Sequence, residues 1–235
     1  RIGFWFSNLH VNDTVVAANP NYQRKEGNTQ RYIGFNYRFR RDLRDFKSYP
    51  LKGFYIESSI NKYGLGIFGD VDILELNGTV SKFFDMGKGF YLASNATFSA
   101  SFPEKQPYRN FNGIGFGSNF MRGYEVYVIE GPHFIMHNNS FKKNVFSTVF
   151  DMSDIVGVRQ FNKMPISIYL TAFYDQGYVK NYPNYELNQR FTDTYLYGTG
   201  FGIDIVTFYD AVFRWEYSIN KAGETGFRLN IHAAF

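Results

Sequence analysis

The sequence predicts an all-β protein, a transmembrane antiparallel β-barrel of about ten strands, and three observations carry that prediction. Aromatic residues make up 20% of the 235 residues, with 27 Phe, 19 Tyr and 2 Trp, a share that the aromatic girdles of a membrane barrel account for. Mean hydropathy is only -0.32, and no run approaches the ~18 apolar residues of a spanning helix, which excludes a helical membrane protein. Segments bounded by Gly, Pro, Asn and Asp alternate apolar and polar with period two, as barrel strands do over ~10 residues. Other classes fall away. Charged residues are 20% and hydrophobic residues 44%, too apolar for disorder. The net charge of +4 is too balanced and dispersed for a nucleic-acid footprint. Cysteine is absent, so there is no disulfide framework, thiolate metal site or Cys nucleophile.

In chain order, a truncated strand runs from Ile2 to Leu9. The opening Arg1-Ile2-Gly3-Phe4-Trp5-Phe6 has neither Met nor the charged-then-apolar layout of a leader, so a mature chain or a fragment is expected. Ile33, Phe35, Tyr37 and Phe39 oppose Asn36, Arg38 and Arg40; Phe54, Ile56 and Ile60 oppose Glu57, Ser59 and Asn61. Leu74, Leu76, Val80 and Phe84 oppose Glu75, Asn77, Thr79 and Ser81 before a turn at Met86-Gly87-Lys88. Phe90, Leu92, Ala96 and Phe98 then oppose Asn95, Thr97 and Ser99. From Phe134 to Phe150 both parities are blurred by Asn138, Asn139, Lys142 and Lys143, and a strand is expected there by continuity. Ile166, Ile168, Leu170 and Tyr174 oppose Ser167, Thr171 and Asp175. The C-terminal third is clearest. Tyr195, Tyr197, Phe201, Ile203 and Ile205 oppose Gly198, Gly200, Gly202 and Asp204, a face for a crowded or wet lumen. After Tyr209-Asp210, Phe213, Trp215, Tyr217 and Ile219 oppose Arg214, Glu216, Ser218 and Asn220. Finally Phe227, Leu229, Ile231, Ala233 and Phe235 oppose Arg228, Asn230 and His232.

Loop lengths orient the barrel, because outer-membrane barrels have short periplasmic turns and longer outer loops. With Phe235 at the periplasmic end, Tyr209-Asp210 and Met86-Gly87-Lys88 are periplasmic, and the connections 10–29, 103–133 and 179–192 lie outside. Residues 152–163 are a long periplasmic exception. A soluble β-sandwich or lipocalin-like barrel also alternates, but the row Phe213, Trp215, Tyr217 beside a charged inner face suits lipid outside better than a small dry core.

Within the longest outer connection, Gly113 to Glu125 is Gly-rich and carries Arg122-Gly123. Glycine lets backbone approach closely, and an Arg at a loop apex can fold into a barrel and pair with a carboxylate there. Asp175 lies on the lumen parity of its strand, where an unpaired charge is costly unless it is wet. Arg38, Arg40 and Arg214 are competing partners for it on the inner faces.

Met121-Arg122-Gly123-Tyr124 resembles the VRGF/Y loop motif of the BamA/TamA superfamily of outer-membrane assembly proteins, with Met121 in place of the usual Val. Phe173-Tyr174-Asp175-Gln176-Gly177 resembles its F-x-D-x-G strand motif, and Phe235 matches the terminal aromatic of the barrel-insertion signal. The motifs occur in family order, the resemblance spans about residues 31–235, and the Tyr- and Asn-rich style is similar to Bacteroidota members. The resemblance implies that Arg122 tucks into the lumen and pairs with Asp175, that Gly123 allows the close approach, and that Tyr124 packs on the inner wall. It implies a sixteen-stranded barrel in the outer membrane of a Gram-negative bacterium. Residues 1–235 would then be its C-terminal portion, lacking six strands and the periplasmic POTRA domains.

For members that insert barrels, a weak seam lets a client's edge strand add beside the last strand; here that strand is Thr225 to Phe235, with Phe227, Leu229, Ile231 and Phe235. The implied partners are outer-membrane lipid and lipopolysaccharide, client outer-membrane or secreted proteins, and assembly-complex subunits, with no nucleic acid. The alternatives are a membrane-anchoring barrel of a patatin-like phospholipase, whose catalytic domain would lie outside this chain, and a passive pore.

No enzyme, cofactor or metal site is expected. The histidines are His10, His133, His137 and His232; His133 and His137 share a face if extended, but spacing fixes no third ligand. His232 lies on the inner parity without a triad context. Arg214 and Glu216 read as part of a polar lumen network rather than as an acid/base pair.

Overall fold

A computed structural model describes residues 1–23, 28–151, 163–183, 185–207 and 211–232. The protein is all-β. In chain order the elements are β1 (Ile2–His10), a six-residue helix α1 (Asp13–Ala18), β2 (Thr29–Asp42), β3 (Gly53–Tyr63), β4 (Ile73–Gly87), β5 (Phe90–Phe102), β6 (Gly113–Ile114), β7 (Ile129–Glu130), β8 (His133–Asp151), β9 (Lys163–Lys180), β10 (Tyr195–Thr207), β11 (Val212–Asn220) and β12 (Thr225–His232). Ten of the strands form one antiparallel sheet in the order β1-β2-β3-β4-β5-β8-β9-β10-β11-β12, each beside its neighbour in sequence; β6 and β7 pair separately inside the connection that precedes β8.

The sheet is open. Its edges are β1 and β12, so the ten strands do not close into the barrel that the sequence predicts. Its strands are nevertheless staggered from one to the next. One row of ladder partners runs Phe39, Ser58, Gly78, Phe98, Ile135, Tyr178, Tyr195, from three residues short of the end of β2 to the first residue of β10. Strands are therefore tilted against the row, the geometry that shear requires.

The two faces differ in the sense that the alternation predicts. The outer face is apolar and uncovered on strand after strand, with Phe4 68%, Phe201 64% and Phe227 72% exposed. The inner face is covered by the connecting loops and is partly polar; Asp175, Asp204, Glu216, Ser218 and Asn220 are all buried on it. No helix among the described residues is long and apolar enough to cross a membrane, which says nothing of a strand barrel.

At 19 residues, β8 is longer than any other strand, although its sequence alternates worst. Two features combine: polar Asn139 and Lys143 stand on the outward parity, and a bulge lies between Asn144 and Phe146 against β9. An extra residue there flips the parity, so even positions face inward before it, as Met136 and Lys142 do, and outward after it, as Phe146 does. Four expected features lie outside the described residues: the turn at Tyr209-Asp210, the connection 152–162, and the terminal residues Ala233 and Phe235.

Candidate functional site

The inner face acquires its site from two connections that fold onto it from opposite ends. The first is residues 103–132. Met121 N-terminal to the tip is 1% exposed and packs with Ile114, Ile129, Phe134, Met136, Val179 and Leu196 in the main apolar cluster. That cluster fixes the depth of the tip. A tight turn follows, in which the Tyr124 amide donates to the Met121 carbonyl at 3.1 Å, and Gly123 takes φ 89°, a region that L side chains rarely adopt. The wall receives this turn where it lacks side chains. A Cβ on Gly198 would lie 1.9 Å from the Arg122 carbonyl oxygen, and one on Gly177 would lie 3.3 Å from the Met121 sulfur. The inner parity of β10 is thus crowded rather than wet.

Arg122 then faces Asp175 of β9. Its Nε donates to Oδ2 at 2.7 Å and Nη2 to Oδ1 at 2.5 Å, a bidentate fork, and its own backbone amide donates to Oδ2 at 3.2 Å. Remaining guanidinium donors go to Ser140 Oγ at 3.0 Å, the Asn139 carbonyl at 3.1 Å and Glu216 Oε1 at 3.4 Å. The guanidinium carbon stands 4.0 Å from the centroid of the Phe173 ring. Asp175 is fully buried and also accepts from Asn138 Nδ2 at 2.9 Å. A buried pair survives desolvation only when its spare donors and lone pairs are satisfied in this way. Tyr124 is 1% exposed, donates its hydroxyl to the Tyr197 carbonyl at 3.2 Å, and meets Phe191 edge-on at 5.2 Å.

So Met121, Arg122, Gly123, Tyr124, Phe173, Asp175 and Gly177 are brought together. Arg214 turns instead to Asp204, at 2.8 Å; Arg38 and Arg40 lie far along the sheet, near Glu57 at 3.6 and 3.9 Å. Phe227, Leu229 and Ile231 are elsewhere, exposed on the outer face of the edge strand β12, 72%, 54% and 60% respectively.

A clamp closes the other side of the tip. Glu224 accepts from Tyr127 at 2.8 Å and from Arg190 at 2.5 Å, and Asn220 Nδ2 donates both to Glu224 at 2.8 Å and to the Gly123 carbonyl at 2.9 Å. The Asn220 amide, and after it the Tyr127 hydroxyl, hold the Glu224 carboxyl below its ordinary value of 4.5.

Sequence reasoning missed the second connection. Residues 43–52, between β2 and β3, do not hang free but cross to the far strands. Tyr49 is 4% exposed, donates to Asp204 Oδ2 at 2.7 Å, and packs with Tyr169 and Val212. Thr171 adds a bond to the same carboxylate oxygen at 3.1 Å. The two histidines that share a strand do not share a site: His133 meets Glu104 at 3.1 Å, whereas His137 meets Ser94 at 2.8 Å and Gln176 at 3.0 Å on the outer face.

No protein-family model and no curated protein matches the chain.

Proposed function

We propose that the chain is the C-terminal part of a larger β-barrel in the outer membrane of a Gram-negative bacterium, and that this barrel mediates insertion, assembly or translocation of proteins there. The observation that carries the reading is the seating of the 121–124 turn on Phe173, Asp175 and Gly177, the residues of both motifs that resemble the BamA/TamA superfamily. Two further features support it. The apolar outer face suits lipid contact, with outer-membrane lipid and lipopolysaccharide as its surroundings. β12, an edge of the ten-strand sheet, would in that larger barrel form one side of the seam, where an incoming client strand would add through its backbone donors and acceptors. Assembly subunits would bind the periplasmic parts.

The 235 residues contain no cysteine, so within them each introduced thiol is unique. Cysteines placed singly along β12 of the complete protein should cross-link to a stalled client barrel at alternating positions, in one register. A strand without a single adduct overturns the insertase reading. In a second arm, Arg122→Asp and Asp175→Arg should each abolish activity and together restore part of it; absence of any rescue removes the pair from the mechanism.

A further inference from the structure

We propose that the inner face holds a binding site for phosphate-bearing anions, in the cavity between the 43–52 connection and the Arg122 turn. The cavity measures about 370 Å³. Six cationic side chains line it, Arg44, Lys47, Arg122, Lys142, Arg214 and Arg228, against two carboxylates, Asp175 and Glu216. Three of the six are matched, Arg44 by Asp42 at 2.8 Å, Arg122 by Asp175 at 2.5 Å and Arg214 by Asp204 at 2.8 Å. Lys47, Lys142 and Arg228 pair with no carboxylate among the described residues.

Lys142 is the decisive one. It is 6% exposed, and its Nζ meets only the face of the Tyr49 ring, 3.7 Å from the centroid. A ring face offsets part of the cost of burying an ammonium group but leaves its hydrogen-bond donors unused. Arg228 is half-buried, with its guanidinium 5.5 Å from the Phe120 centroid. Three unmatched cations from three elements thus converge on one space: Lys47 from the connection, Lys142 from β8 and Arg228 from β12. The surplus exceeds what one carboxylate neutralises and suits a multiply charged, many-oxygen group, to which Arg presents forks and Lys a point charge. Because the cavity opens on the inner face, a soluble phosphate compound reaches it directly, whereas a lipid-borne phosphate would have to leave the outer face. Bound there, the anion would tie the 43–52 connection to the wall and to the edge strand. The inference rests on the cavity and not on the insertase reading, since binding is measured without a client.

The experiment is calorimetric titration of inorganic pyrophosphate into the purified complete protein in detergent micelles, with heat-modifiable gel migration reporting folding of each variant. The expected result is saturable binding of one pyrophosphate, weakened at least about tenfold by Lys142→Gln and by Arg228→Gln, as loss of a charge-assisted contact predicts. The exposed Lys105→Gln should leave it unchanged. No saturable heat with the unaltered protein, or folded K142Q and R228Q variants that bind as tightly as it does, overturns the proposal. A second titration in the presence of lipopolysaccharide separates the sources: displacement of pyrophosphate assigns the site to lipid-borne phosphate, and undiminished binding assigns it to a soluble compound.

Discussion

Arg122 stands in a stack three layers deep, with its guanidinium on the Phe173 ring and that ring against Gly200, where a Cβ would come within 2.7 Å of it. Any side chain larger than hydrogen at Gly198 or Gly200 would lift the stack off the wall. Gly198→Ala is expected to cost about 1–3 kcal/mol of loop seating, the range for overpacking a close contact, while the sheet persists. Hydrogen exchange should show faster amides over residues 113–127 and unchanged amides in β9 and β10; uniform protection would mean that the turn does not need the bare strand. Arg122→Ala should act on the same amides by about 3–5 kcal/mol, because it leaves Asp175 buried without its cation. At this scale the sequence was partly legible. Residue type and strand parity put Asp175 and an arginine inside, and the Gly198, Gly200, Gly202 row marked a special face. Which arginine takes Asp175 was not decidable from spacing, since Arg214 is on the same face; the choice is made by Met121, whose burial in the apolar cluster fixes how deep the tip sits.

Among the elements, the two ends of the Arg122 connection are held by different physics, apolar contact on one side and the Glu224 clamp on the other. Glu224 is a carboxylate whose folded value is depressed, so its contribution is present above its unfolded value of 4.5 and is lost as pH falls through the lower folded one. Acidification from pH 6 to about pH 3 should therefore loosen residues 123–127 before β11 and β12. Exchange or a probe on residue 126 measures this, and Glu224→Gln should remove the pH dependence. The 43–52 connection has a comparable anchor in the Tyr49 hydroxyl. Tyr49→Phe should release it at a cost of about 1–3 kcal/mol, the scale of a bond to a charged group, seen as new proteolytic cleavage between residues 43 and 52. Nothing local in the sequence announces that anchor, because Tyr49 and Asp204 are 155 residues apart. The change of phase within β8 was likewise illegible, since a bulge shifts an alternation without changing its composition.

For the whole molecule, the two tryptophans report the two faces. Trp215 lies in the outer row between Ile203 and Leu229, whereas Trp5 lies inside, over Gly34 and edge-on to Tyr63 at 5.7 Å. In bilayers with brominated acyl chains, a Trp5→Phe variant should be strongly quenched through Trp215, and a Trp215→Phe variant much less so. Equal quenching, or none, would overturn the assignment of the apolar face to lipid. The alternation that made this arrangement legible could not foretell the open edges, because period two is the same in a closed sheet and in an open one. The climbing ladder row from Phe39 to Tyr195 has one more consequence. Cohesion between strands follows that row, which is a ramp, whereas in the proposed membrane setting the surroundings of a side chain would change with height, along a level line. Residues that hold one another are therefore not those that share a solvent environment. A substitution in the sheet weakens it along the diagonal and, in that setting, would be felt by the medium along the horizontal, so the two effects would fall on different neighbours and can be measured apart.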